Sequence, residues 1–125
     1  MEKLYIERTD RTPLIEFTDG QLRIWGTFVP ENPLEFYLVL HEWVKEYSIA
    51  PEPVTIVDLG IVYIRGHVMP YLQKLLEELI LLNSEQHLVI INWNYCMNTI
   101  DVKAGKFLSR KLNYPFNFVE FEGIW

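Results

Sequence analysis

The residues best placed for chemistry lie in Val62–Leu72, which reads VYIRGHVMPYL. Arg65, Gly66 and His67 separate an apolar run from a stretch with helical spacing. Such a joint can offer a partner the backbone amides of a helix start, which favour negative charge. Arg65 would add a fixed cation beside them, and His67 a second, potentially cationic side chain.

The remaining candidates are isolated groups. Asp58 stands inside the apolar run VTIVDLGIVYI. It reads either as a buried acid with a raised pKa or as a strand-end or bulge residue before Gly60, and the second is preferred because nothing titratable pairs with it. His41, His67 and His87 lie far apart, without a second ligand at helical or turn spacing, so no zinc site is expected. Cys96 ends an apolar strand and lacks a nucleophile's context, which makes it a packed thiol. The glycines of DLGIVYIRGH have the wrong spacing for either nucleotide fingerprint. Trp25, Trp43 and Trp93 fall on core-facing periodicities, and Trp125 is terminal and unassigned. In VPENP, Glu31 and Asn32 are candidate partner contacts at the rim of the sheet, and Asn32 is also the residue type that caps a helix, which is the preferred reading of the turn. No catalytic constellation, metal site or cofactor motif emerges from these groups.

Composition sets the frame for them. The chain has 125 residues, 11 of them basic and 17 acidic, for a net charge of −6. That balance disfavours binding to a phosphate backbone, so no nucleic-acid partner is expected. The start, MEKLYIERTD, carries charges where a signal peptide would be apolar. The greasiest stretch, LLEELILL, contains two Glu and is too short to span a bilayer. One cysteine fits a reducing compartment. The expectation is a single cytoplasmic domain over residues 1–125, with no membrane insertion.

The elements that must position these groups follow from pattern. TPLIEFT and QLRIWGTFV, joined by Asp19-Gly20, predict a hairpin, with LYI as a short edge strand. Asn32-Pro33 followed by Glu35 predicts a capped helix, with Phe36, Leu40, Trp43, Val44 and Tyr47 inward; Pro51 and Pro53 end it. VTIVDLGIVYI is apolar on both alternating faces and predicts a central strand covered on two sides. A helix over about Val68 to Leu82 turns Leu72, Leu75, Leu76 and Leu79 inward and Glu77 and Glu78 outward. HLVIINWNY predicts a strand, Asp101 to Leu112 a third helix, and FNFVEFE a closing strand. The fold class is α/β: a small mixed sheet with an N-terminal antiparallel hairpin, about three helices and right-handed parallel crossovers.

These residues also resemble a known family. Thr9, Thr12-Pro13, Ile15, Phe17, Gly20, Leu22, Ile24, Gly26 and Pro30-Glu31-Asn32 are similar to the SiaC family of bacterial regulatory phosphoproteins. Phe36, Trp43, Tyr63, Tyr71-Leu72, Trp93, Tyr95, Ala104-Gly105 and Pro115-Phe116 extend the likeness over almost the whole chain. The resemblance implies a STAS-like (anti-sigma-factor-antagonist-like) fold and a non-enzymatic switch. It implies a kinase and a PP2C-like phosphatase acting on the protein, and a diguanylate cyclase bound by its unphosphorylated form in cyclic di-GMP signalling. A phosphate at a docking surface adds nearly two negative charges, which can drive an acidic chain off its partner.

Two departures stand out. The family's acceptor is a Thr in an Asn-Thr-Ser-Ser run after the central strand. Aligning Tyr63 and Tyr71-Leu72 puts that run on Arg65-Gly66-His67-Val68, with Gly66 at the acceptor, and no Ser or Thr occurs from Ile56 through Asn83. After Trp93-Asn94-Tyr95 the family has several acidic residues, whereas CMNTID has one. Three readings follow. The chain is a docking protein without the hydroxyl switch; or His67 takes the phosphoryl group; or Arg65, Gly66 and His67 form an anion pocket for a small molecule.

Overall fold

The computed structural model describes residues 1–96 and 102–122. The chain runs β1 (Leu4–Ile6), β2 (Leu14–Thr18), β3 (Gln21–Phe28), α1 (Pro33–Tyr47), β4 (Val54–Ile64), α2 (Met69–Ile80), β5 (Leu88–Tyr95), α3 (Lys103–Leu112) and β6 (Asn117–Glu120). The expected elements form, with ends trimmed by a few residues. Asp101, the expected start of the third helix, lies outside the described residues, as do most of CMNTID and Trp125.

The six strands form one sheet in chain order. β1, β2 and β3 pair antiparallel, then β4, β5 and β6 continue parallel. The hairpin turns at Asp19-Gly20, where Gly20 takes φ of 82° and supplies the positive dihedral. Each later strand is laid on the same side of its predecessor through a helix. A right-handed crossover repeated in one direction puts every helix on the same face. Ile15, Phe17, Leu22, Ile24, Val57, Leu59, Val89, Ile91 and Trp93 therefore turn toward the helices and form one core with Leu40, Val44, Leu72, Leu76 and Leu108.

This arrangement corrects the expectation that the central strand is covered on two sides. Along β4, Val57, Leu59 and Ile61 are buried, while the alternate Ile56, Asp58 and Val62 are only half-buried. Trp25 is likewise corrected. It is half-buried on the open face, tilted against Phe121 at 5.5 Å with the Arg23 guanidinium 5.2 Å from its ring. Its neighbours Leu22 and Ile24 fix the strand's parity, and the pleat sends Trp25 the other way. Trp43 and Trp93 do enter the core.

The open face also explains Asp58. Strand register lines up Tyr5, Glu16, Arg23, Asp58, Asn92 and Asn117 as one row across the sheet. Arg23 lies 3.6 Å from Glu16 and 3.8 Å from Asp58, and Asn94 donates to Asp58 at 2.6 Å. Asp58 is thus a mid-strand member of a cross-strand polar row, neither a buried acid nor a bulge residue. The register shift falls between Gly26 and Thr27 on β3.

At the far end of the sheet, α3 lies directly on Trp93. A Cβ at Gly105 would fall 2.5 Å from the indole, so only glycine allows this approach. Among the described residues no helix is long and apolar enough to cross a membrane.

Candidate functional site

Because β3, β4 and β5 are parallel, their C-terminal ends share one rim. Phe28 is paired with Ile64, so the β3–α1 joint (Val29–Asn32) and the β4–α2 joint (Arg65–Val68) leave the sheet side by side. All the candidate residues, Glu31, Asn32, Arg65, Gly66 and His67, are brought to that rim and exposed. In an open α/β sheet the carboxyl ends of the strands are where partners and ligands are met.

The two joints are built differently. At the first, Asn32 Oδ1 accepts from the Glu35 amide at 3.1 Å, and Asn32 Nδ2 donates to Glu35 Oε2 at 3.2 Å. Pro33 then opens α1, where its missing N–H leaves no donor wanting. Glu35 thus reaches back to the side chain of the cap. Asn32 is therefore committed to capping, and Glu31 extends from the turn.

At the second joint no side chain caps the helix. The Arg65 carbonyl accepts from the amides of Val68 at 2.9 Å and Met69 at 3.1 Å, and Tyr71 N–H donates to Val68 O at 3.0 Å. Pro70 has no N–H to offer. Amides that a helix start would present to an anion are thus used within the joint, which weighs against the pocket reading. Val68 is fully buried and pins the turn to the core. The side chains of Arg65 and His67 make no hydrogen bond or ion pair among the described residues. A Cβ at Gly66 would meet nothing within 4 Å, so this position has room for a larger side chain.

Four grooves bounded by described residues, of about 610, 450, 250 and 280 Å³, are lined by residues other than Arg65, Gly66 and His67. The one of about 250 Å³ adjoins the first joint, between Pro30, Asn32, Glu35, Phe36 and Val39. Cys96 is half-buried just past the C-terminal end of β5, whereas His87, with Nδ1 3.3 Å from the Glu52 carbonyl, precedes that strand at the opposite end of the sheet.

One polar cluster is hidden from sequence reasoning. Glu78 is half-buried between α1 and α2, contrary to its expected outward position. Its Oε1 accepts from Tyr37 Oη at 2.7 Å and lies 2.6 Å from His41 Nδ1. Burial first, and then the hydrogen bond and charge of Glu78, raise Tyr37 well above the ordinary tyrosine range. The i, i+4 spacing of Tyr37 and His41 was the available signal, but nothing in sequence linked that pair to Glu78 across two helices. The cluster ties together the helices that follow the two joints.

A sheet covered on one face, with two exposed strand-to-helix joints at one rim, defines a small mixed α/β protein of the open-faced kind. The chain belongs to the SiaC family regulatory phosphoproteins, whose profile it matches over residues 6–121. Among solved structures it is similar to SiaC of Pseudomonas aeruginosa, with a TM-score of 0.83 and 21% identity over 97% of this chain and 100% of that one. It is also similar to apo-SiaC from Pseudomonas aeruginosa, with a TM-score of 0.76 and 22% identity over 98% and 100% of the two chains. A third match is to a crystal structure of the diguanylate cyclase SiaD in complex with its activator SiaC from Pseudomonas aeruginosa, with a TM-score of 0.83 and 21% identity over 94% and 99%. At these identities the structural likeness establishes the fold. No curated protein matches.

Proposed function

We propose that this chain is a non-enzymatic cytoplasmic regulator that docks on a signalling enzyme through the rim formed by its two joints. A diguanylate cyclase is the partner of first choice, because the similar SiaC of Pseudomonas aeruginosa is described as the activator of the cyclase SiaD. The observation that carries the reading is the second joint. It is anchored by Val68 beneath, yet exposes Arg65, Gly66 and His67 with no structural task for the two charged or titratable side chains. The acceptor hydroxyl expected of the family is absent there, so the docking surface works without that phosphorylation switch.

Affinity for a diguanylate cyclase from the same bacterium tests this directly. The native chain is expected to bind, and Arg65→Glu to weaken binding at least tenfold, as charge reversal at a contact does. Equal affinities for the two chains would remove the rim as the site. Absence of binding by the native chain would remove the cyclase as the partner.

A further inference from the structure

The outer face of α1 is unlike those of the other helices. The exposed residues of α1 are Leu34, Glu35, Leu38, Val39, Glu42, Lys45 and Glu46, so three are large and apolar and three are acidic. On α2 the exposed residues are only Pro70, Lys74 and Glu77. Leu34 is 51% exposed, Leu38 and Val39 each 45%, and Ile49, just past the helix, 82%. Val39 and Ile49, with Leu4 and Trp43, bound a shallow groove of about 450 Å³ along the side of α1. Glu42 and Glu46 line the same groove with Lys45 between them, and the side chains of the two acids make no hydrogen bond or ion pair among the described residues. They stand one turn apart, about 6 Å along the axis at 1.5 Å per residue.

From this we infer a second interaction surface: the acidic, apolar outer face of α1 binds a basic amphipathic helix of a protein partner. Apolar side chains of that helix fill the groove beside Val39 and Trp43, and its Lys or Arg residues, one turn apart, meet Glu42 and Glu46. Helix-in-groove recognition works through such spaced anchors, with flanking charge setting the choice of partner. Charge decides between the two occupants available. A second copy offers α3, whose exposed Lys103, Lys106, Arg110 and Lys111 match the acidic stripe. Each copy carries a net charge of −6, so two copies repel at long range, whereas a basic segment is attracted. Phe107 is also the one large apolar residue exposed on α3 among the described residues, too little to fill the groove.

The test uses the full ¹⁵N-labelled chain and a synthetic peptide of about 18 residues, five helical turns, with Leu on one face and Lys on its flanks. Amide shifts should concentrate on residues 34–49 and Leu4, and binding should weaken as salt is raised. Glu42→Lys with Glu46→Lys should weaken it at least tenfold, and the milder Glu42→Gln with Glu46→Gln less, both with unchanged thermal unfolding. Arg65→Glu should leave peptide binding unchanged, since Arg65 does not line this groove. Equally tight binding of a peptide with Glu in place of Lys, shifts centred elsewhere, or an unaffected charge-reversed chain would overturn the inference. A dimer in sedimentation equilibrium that the same charge reversal breaks would assign the face to a second copy and overturn it too.

Discussion

The β3–α1 and β4–α2 joints do the same job at the same rim with opposite means. The first is held by side-chain hydrogen bonds, through Asn32 and Glu35, and leaves little of its polar chemistry uncommitted. The second is held by a buried apolar residue, Val68, and by the Arg65 carbonyl, so its exposed side chains have no part in holding the turn. A turn stabilised from below by burial can change its surface residues cheaply. That is the physical setting in which an acceptor hydroxyl can be lost, or regained, without disturbing the fold.

Substitutions can break this contrast, and the largest effect is expected at the buried anchor. Val68→Ala should cost about 2 kcal/mol of stability, from lost apolar burial and the cavity left behind. Urea unfolding measures it, and a cost below that of removing the cap would contradict the contrast. Asn32→Ala should cost about 1 kcal/mol, the usual worth of such a cap. At the exposed positions, Arg65→Ala, His67→Ala and Gly66→Thr should each stay within about 0.5 kcal/mol of the native chain, as surface changes without structural partners do. A large loss at any of these three would mean that the second joint depends on its surface residues after all.

Alkaline unfolding sharpens the comparison, because the helices beyond the joints are tied through Tyr37 and Glu78. Burial and that hydrogen bond raise Tyr37 above its ordinary value of 10.0, so the folded chain keeps the proton when the unfolded chain loses it. Stability from this group is therefore intact below about pH 10 and falls as the pH rises beyond it. Tyr37→Phe should flatten that fall. Part of it should remain, since burial also raises Tyr114. The smallest effect lies on the open face. The Lys3 hydrogen bond and charge, aided by Arg23, lower Glu16, so its contribution is present above about pH 4.5 and is lost as the pH falls through the lowered value. Lys3→Met should move the Glu16 titration upward in an NMR pH series.

Much of this was legible in the residues. The leucines of α2 repeat at helical spacing, and Leu72, Leu75, Leu76 and Leu79 are buried as that pattern requires. Asn32-Pro33 and Asp19-Gly20 placed a cap and a turn because their chemistry is local. The position of Arg65-Gly66-His67 was legible for the same reason, lying between a strand pattern and a proline-started helix. What failed depended on neighbours distant in sequence. Whether Trp25 or Ile24 meets the helices depends on the parity set by the whole sheet. Whether β4 is covered once or twice depends on strand order, which alternation within one strand does not contain. Glu78 appeared outward because its partners, Tyr37 and His41, stand on another helix. The closure of the second joint by the Arg65 carbonyl is a backbone event, which side-chain patterns do not record.

The central claim is that the second joint docks a partner without a hydroxyl switch, and one binding measurement under phosphorylating conditions tests it most directly. The native chain and Gly66→Thr are each treated with the cognate kinase and ATP, then titrated against the diguanylate cyclase, with intact mass recorded alongside. The native chain should keep its affinity and mass, while Gly66→Thr should gain one phosphate and lose at least tenfold in affinity through added charge at the rim. A native chain that gains phosphate and releases the cyclase would contradict the account.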